Sequence, residues 1–218
     1  MKQNRIKQLV IPIPIGDSAI HGNLNLVEGS KNIVIFAHGS GSSRFSSRNI
    51  FVADILNKAQ FSTFLFDLLT PEEETIDLIM RELRFNIPLL AQRLILVTKW
   101  IQSQPTTSGL HIGYFGASTG AGAALIAAAQ LPNQIAAVVS RGGRPDLALP
   151  YLKSVTSPTL LIVGELDDEV IALNQLAYNN LQCEKQLSIV PDASHLFEET
   201  GTLEKAAVLA LEWFKMHK

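Results

Sequence analysis

Short apolar runs alternate with longer stretches of helical spacing along this chain. Gln8–Ile13 and Ala19–Leu26 read as two opening strands with Gly16-Asp17 as the turn between them. Asn32–Ala37 (NIVIFA) is apolar without alternation, the pattern of a strand buried on both faces. In Asn49–Gln60 the residues Phe51, Val52, Ile55, Leu56 and Ala59 fall on one helical side. Ser62–Phe66 is the next strand. Pro71–Gln104 is helical in spacing but holds Asn86-Ile87-Pro88, which predicts a break there, because proline lacks the amide proton and restricts the residue before it. Strands are expected at His111–Phe115, Ile135–Val139, Thr159–Val163 and Gln186–Val190, and helices at Ser118–Gln130, Ile171–Leu181 and Thr202–His217.

Two strands followed by repeated strand–helix units imply an α/β fold: a mainly parallel sheet covered by helices on both faces, with an antiparallel start. The 218 residues are read as one such domain, 1–218. In sheets of this kind chemistry collects at the carboxyl ends of strands. The segments just after each strand are therefore where functional residues are expected.

Past His111–Phe115 comes Gly116-Ala117-Ser118-Thr119-Gly120 and then a helix, which is G-x-S-x-G between strand and helix. Such a corner lifts a serine hydroxyl out of the sheet and aims a helix N-terminus at the reacting centre. The competing reading of the same five residues is a plain glycine-rich turn. A serine needs a base. His195 follows the last strand by the short loop Pro191–Ser194, whereas His21 lies in an opening strand, His111 starts a strand and His217 is near the last residue. The base needs a carboxylate to set its tautomer. Gly164-Glu165-Leu166-Asp167-Asp168-Glu169-Val170 supplies several, just past a strand and between serine and histidine. Asp167 is the choice, ahead of Asp168 and Glu165; helix N-terminal charge is the alternative role for this cluster. The order Ser118, Asp167, His195 is that of α/β-hydrolases. The backbone N–H of Thr119 is expected as one oxyanion donor, and that of Ser40, in the loop His38-Gly39-Ser40-Gly41-Ser42-Ser43, as the second.

Four segments join HGSGSSR at His38–Arg44 in a resemblance that spans nearly the whole chain: GASTG at Gly116–Gly120, SRGGRPDL at Ser140–Leu147, VGELDDEV at Val163–Val170 and SHLFEE at Ser194–Glu199. With these the chain resembles the dienelactone hydrolase-like group of α/β-hydrolases. Members typically show G-x-x-D-x-x-V at the acid, which the resemblance places on Asp167, between Gly164 and Val170. The resemblance implies the α/β-hydrolase fold and a triad acting on an ester or lactone, and a chain of this length leaves little or no sequence for a cap domain. Dienelactone hydrolases themselves use a cysteine nucleophile where this chain has Ser118, so dienelactone as substrate is implied only weakly. The wider group with HGSGSSR and SRGGRPDL also includes domains fused to a phosphoribosyltransferase. A fairly open site is expected, partly covered by the irregular region near Asn86.

Charge adds one refinement and several exclusions. Arg44 and Arg48 follow the oxyanion loop, and Arg141 and Arg144 follow the Ile135–Val139 strand, so all four are candidates to bind an anionic ester or lactone. The competing expectation is internal pairing with Asp67, Glu72, Glu73, Asp146 or the Asp167–Glu169 cluster. A net charge of −2 gives no general pull toward nucleic acid or anionic membrane. No G-x-x-x-x-G-K-[ST], G-x-G-x-x-G or H-E-x-x-H occurs, so no nucleotide, nicotinamide or metal cofactor is expected. Cys183 is the only cysteine, fits a reducing cytoplasmic setting and reads as an apolar filler. Pro12 and Pro14 interrupt the apolar run after the basic Met1–Lys7, so that run does not read as a secretory signal. No apolar stretch approaches the ~20 residues of a membrane helix. The expected partner is a small-molecule substrate, with the protein a monomer or small homo-oligomer. The alternatives are a ligand- or protein-binding module on the same fold, and a triad enzyme acting on thioesters or peptides.

Overall fold

The computed structural model describes residues 5–218. The two opening strands, β1 (Ile6–Ile15) and β2 (Ser18–Val27), form an antiparallel hairpin. Gly16 takes φ +53° at its turn, a conformation that a side chain resists and glycine does not. The hairpin is followed by β3 (Asn32–Ala37), α1 (Ser47–Lys58), β4 (Ser62–Phe66), α2 (Pro71–Met80), α3 (Ile87–Ser103), β5 (His111–Ala117), α4 (Thr119–Gln130), β6 (Ile135–Arg141), β7 (Thr159–Gly164), α5 (Asp168–Asn180), β8 (Lys185–Val190) and α6 (Thr202–Met216). The strands lie in one eight-stranded sheet in the order β1-β2-β4-β3-β5-β6-β7-β8. β2 meets β4 antiparallel, and every later pairing is parallel. This is the α/β-hydrolase fold, and among the described residues no cap domain rises from it.

The centre of the sheet is buried on both faces, which is why β3 to β7 read as continuous apolar runs. Strand residues alternate between two cores. Ile33, Ile35, Tyr114 and Leu161 pack with Leu94, Val97 and the alanines of α4 on one face. Val34, Phe36, Phe115, Val139 and Ile162 pack with Val52, Leu56, Trp213 and Phe214 on the other, beneath α1 and α6.

The long helical region breaks earlier than its proline suggests. α2 ends at Met80, where Arg81 turns left-handed at φ 56°, and a 3-10 turn over Leu83–Phe85 intervenes before α3. Pro88 lies in the first turn of α3, where its missing amide proton costs nothing. The break is held by side chains instead: Arg84 donates from Nε to the buried Asp77 carboxylate at 2.5 Å and from Nη2 to the Asp77 carbonyl at 2.9 Å. The 3-10 helix over Pro145–Ser154 has no counterpart among the sequence expectations, because Pro145 and Pro150 masked its apolar spacing.

Candidate active site

β5 carries Ser118 to the carboxyl edge of the sheet. Ser118 stands between β5 and α4 at φ 49°, ψ −123°, a strained conformation for a residue with a side chain. Glycines flank it because no other residue fits. A Cβ on Gly116 would lie 2.5 Å from the Ala121 Cα, and one on Gly120 would strike the carbonyl oxygens of Ala37 and His38. The corner is locked through the Ser118 carbonyl, which accepts the N–H of Ala121 and of Arg144, each at 3.0 Å.

His195 and Asp167 reach each other from the loops after β8 and β7. The His195 Nδ1 lies 2.6 Å from Asp167 Oδ2. A carboxylate only accepts, so Nδ1 carries the proton and Nε2 is left as a base. The two loops pack too closely for a side chain at the end of β7, since a Cβ on Gly164 would meet the Ala193 carbonyl oxygen. The competing carboxylates are placed elsewhere. Glu165 accepts the Asp192 N–H at 3.0 Å, and Asp168 and Glu169 occupy the first turn of α5, where negative charge suits the helix dipole. Asp167 caps α5 by position, yet makes no side-chain cap bond.

Ser118, His195, Ser40, Arg48, Asn49 and Arg141 line one open cleft of about 240 Å³. None of its lining residues comes from α2, the 3-10 turn or α3. The region near Asn86, expected to cover the site in part, instead backs the oxyanion loop from behind, where Asp77, Arg84 and Leu90 line a smaller space with His38–Ser42. Of the two expected oxyanion donors, the Thr119 N–H heads α4, where a helix has no acceptor of its own for it. The Ser40 N–H already has a partner, the Thr119 hydroxyl, at 2.9 Å.

The four candidate arginines separate cleanly. Arg44 is bound to the Asp67 carboxylate and Arg144 to both oxygens of Asp146, at 2.9 and 2.8 Å. Neither lines the cleft that holds Ser118; for this pair internal ion pairing replaces the expected substrate contact. Arg48 does line the cleft, and among the described residues its ion-pair partner is the exposed rim carboxylate of Glu198, at 3.4 Å. Arg141 ends β6, is 5% exposed, and has no carboxylate or carbonyl partner among the described residues; its guanidinium carbon stands 5.5 Å from the centre of the Phe197 ring. Burial, followed by the repulsion of Arg48, brings its pKa down to about 10. At neutral pH the group is still a cation.

Asn49 is a residue the sequence did not mark. It is 2% exposed in the first turn of α1, lines the same cleft, and leaves its Oδ1 buried and unbonded. Only its neighbour Arg48 drew notice, and one buried asparagine in an amphipathic helix carries no sequence signal of its own. Among the described residues, no group of three or more His, Cys, Asp or Glu side chains is arranged to hold a metal ion, and no helix is long and apolar enough to cross a membrane.

Comparison with known proteins identifies the family and the fold. The model of the dienelactone hydrolase family matches residues 31–217. The crystal structure of a dienelactone hydrolase from Anabaena variabilis superposes with a TM-score of 0.95 at 54% identity, covering 97% of this chain and 98% of that one. Est1E from Butyrivibrio proteoclasticus shares the fold alone, with a TM-score of 0.75 at 12% identity over 94% of this chain and 99% of its own. A Mycobacterium tuberculosis protein named "Putative phosphoribosyl transferase" is 53% identical over 217 residues, which is 100% of this chain and 47% of that protein. The chain thus spans about half the length of the curated relatives it matches.

Proposed function

From the premise that this chain belongs to the dienelactone hydrolase family, we propose that it is a serine hydrolase that cleaves an ester or lactone of a small carboxylate-bearing molecule through an acyl-enzyme. The observation that carries the reading is the pairing of His195 with Asp167 at 2.6 Å beside a serine held in a left-handed corner of the same cleft. His195 Nε2 takes the proton of the Ser118 hydroxyl as Ser118 Oγ attacks the carbonyl carbon. Asp167 holds the ring in the required tautomer and faces the imidazolium that forms. The Thr119 N–H and the Ser40 N–H receive the oxyanion, the latter once the Thr119 hydroxyl rotates aside and leaves its place to the substrate oxygen. The imidazolium then protonates the leaving alkoxide. Water, activated by the same His195, attacks the acyl carbonyl and frees Ser118.

The anionic preference rests on Arg141. A buried guanidinium without an acceptor is costly, and nearly all such groups in folded proteins are paired. Here the missing acceptor is one that a ligand in the cleft supplies. Arg48 adds to it from the first turn of α1, a helix with no acidic residue there, so helix dipole and side chain both make this wall positive. A cation at that end of a helix works against the helix's own stability, which points to a use in binding.

Labelling by a fluorophosphonate, with the modified peptide identified by mass spectrometry, tests the reading. Modification confined to Ser118, and lost in Ser118→Ala, is the expected result. A folded protein that does not react would move the cleft from catalysis to ligand binding.

A further inference from the structure

His38 lies behind the cleft and is 8% exposed, and its two ring nitrogens bond to different parts of the fold. Nε2 stands 3.1 Å from the backbone nitrogen of Leu68, just beyond β4. An amide N–H only donates, so Nε2 must accept. Nδ1 stands 2.9 Å from the Gly39 carbonyl oxygen, which only accepts, so Nδ1 must carry the proton. Both contacts specify the same neutral tautomer. Burial holds the ring neutral by lowering its pKa, against weaker upward pulls from the Gly39 carbonyl and from Asp67.

Gly39 is the residue whose peptide links to Ser40. In a trans peptide the C=O and the following N–H point in opposite directions. Pinning the Gly39 carbonyl therefore sets the direction of the Ser40 N–H. The Ser42 N–H joins His38 on that carbonyl, at 3.2 Å. On the other side of the peptide, the Ser40 N–H meets the Thr119 hydroxyl, next to the nucleophile. The peptide has no room to slide, since a Cβ on Gly39 would lie 3.0 Å from the Ser118 Cβ. We infer that His38 is a positioning residue: by bridging the Leu68 N–H to the Gly39 carbonyl, it aims the Ser40 N–H at the oxyanion that forms on the substrate.

This inference rests on the serine-hydrolase reading, and it predicts an effect confined to the transition state. A donor set at the wrong angle weakens binding of the oxyanion but not of the substrate's remote parts. The test compares wild type, His38→Asn and His38→Gln on an activated ester and on its thionoester, in which the carbonyl oxygen is replaced by sulfur. Active sites are counted with a fluorophosphonate and folding is checked by thermal melting. Sulfur is a poor acceptor, so the ratio of oxygen to sulfur kcat/KM reports on the oxyanion donors. The expected result is a fall in ester kcat of about tenfold to a hundredfold, KM held within about twofold, and an oxygen-to-sulfur ratio reduced by about tenfold. Equal losses on both substrates would overturn the inference, because that is what loosened packing produces. Nitrogen-15 NMR of the wild-type imidazoles supplies a test that needs no folded variant: His38 is expected as the Nδ1–H tautomer, and the Nε2–H tautomer would overturn the bridge. Failure of the wild type to label at Ser118 would refute the serine-hydrolase reading itself, a result distinct from a normally labelled protein whose ratio does not change.

Discussion

The Ser40 N–H donates to the Thr119 hydroxyl at 2.9 Å, joining the loop after β3 to the first residue of α4. The candidate oxyanion donor is thus not idle before substrate arrives; a side chain next to the nucleophile stands in for the oxyanion. Thr119→Val keeps the branched shape and removes the acceptor. Loss of a hydrogen bond that leaves a partly buried N–H unpaired should cost about 1–2 kcal/mol of stability, read as a lower midpoint in urea. Thr119→Ser, which keeps the hydroxyl, should lie near wild type. If Thr119→Val is as stable as wild type, the tether contributes nothing.

Arg141→Gln tests the anionic wall. The variant keeps a polar side chain of similar reach while removing the charge. KM for a carboxylate-bearing ester should rise by about tenfold or more, the worth of one charge-assisted hydrogen bond of roughly 1.5–3 kcal/mol. KM for the matching neutral ester should stay within about twofold. Arg144→Gln should leave both unchanged, because Arg144 is spent on Asp146. Equal responses of the two esters to Arg141→Gln would remove the carboxylate from the proposal.

The candidate triad was legible because Ser118 and Asp167 follow β5 and β7, strands buried on both faces that read as apolar runs, while His195 follows the half-exposed edge strand β8 by a short loop. Gly116 and Gly120 added the sharp corner, and the chain order of Ser118, Asp167 and His195 did the rest. The arginines could not be sorted the same way. Arg141 and Arg144 are three residues apart, with the same chemistry, and both follow one strand. Only the fold shows that Arg141 still belongs to β6 and points into the cleft, while Arg144 has turned toward Asp146. Asn49 and His38 were illegible for a related reason: their significance lies in what surrounds a buried polar atom, and neighbours distant in sequence decide that. The break near Asn86 was legible as a break, but its start at Arg81 depends on the Asp77–Arg84 pair, a contact between side chains seven residues apart.

Asp167→Asn should preserve the fold and cripple catalysis. An asparagine can offer His195 its amide N–H₂, and the ring then turns its proton toward the serine. By analogy with other triads the loss in kcat is on the order of 10⁴, with KM little altered. Asp168→Asn should cost only the few tenths of a kcal/mol of an exposed helix-terminal charge. A kcat for Asp168→Asn as low as that of Asp167→Asn would mean the acid has been misassigned.

The neutral state of His38 also makes a prediction about stability and pH. Burial lowers its pKa below the ordinary value of 6.5, while Asp67 pulls weakly in the other direction. In the unfolded chain the ring is exposed and titrates near that ordinary value. Between the two, the unfolded state binds the extra proton and the folded state does not, so stability must fall as pH drops below about 6.5 toward the folded value. Glu72, Glu199 and Asp77, whose folded pKa values are also lowered, add their own losses, but only as pH falls below about 4.5. The interval from pH 6.5 to 5 is therefore where His38 can be seen apart from them. Melting temperature should decline across it in the wild type and decline less in His38→Asn, which has no proton to gain. Parallel curves for the two proteins would mean that His38 takes up its proton without loss of fold, and would remove the requirement that its Nε2 stay free to accept the Leu68 N–H.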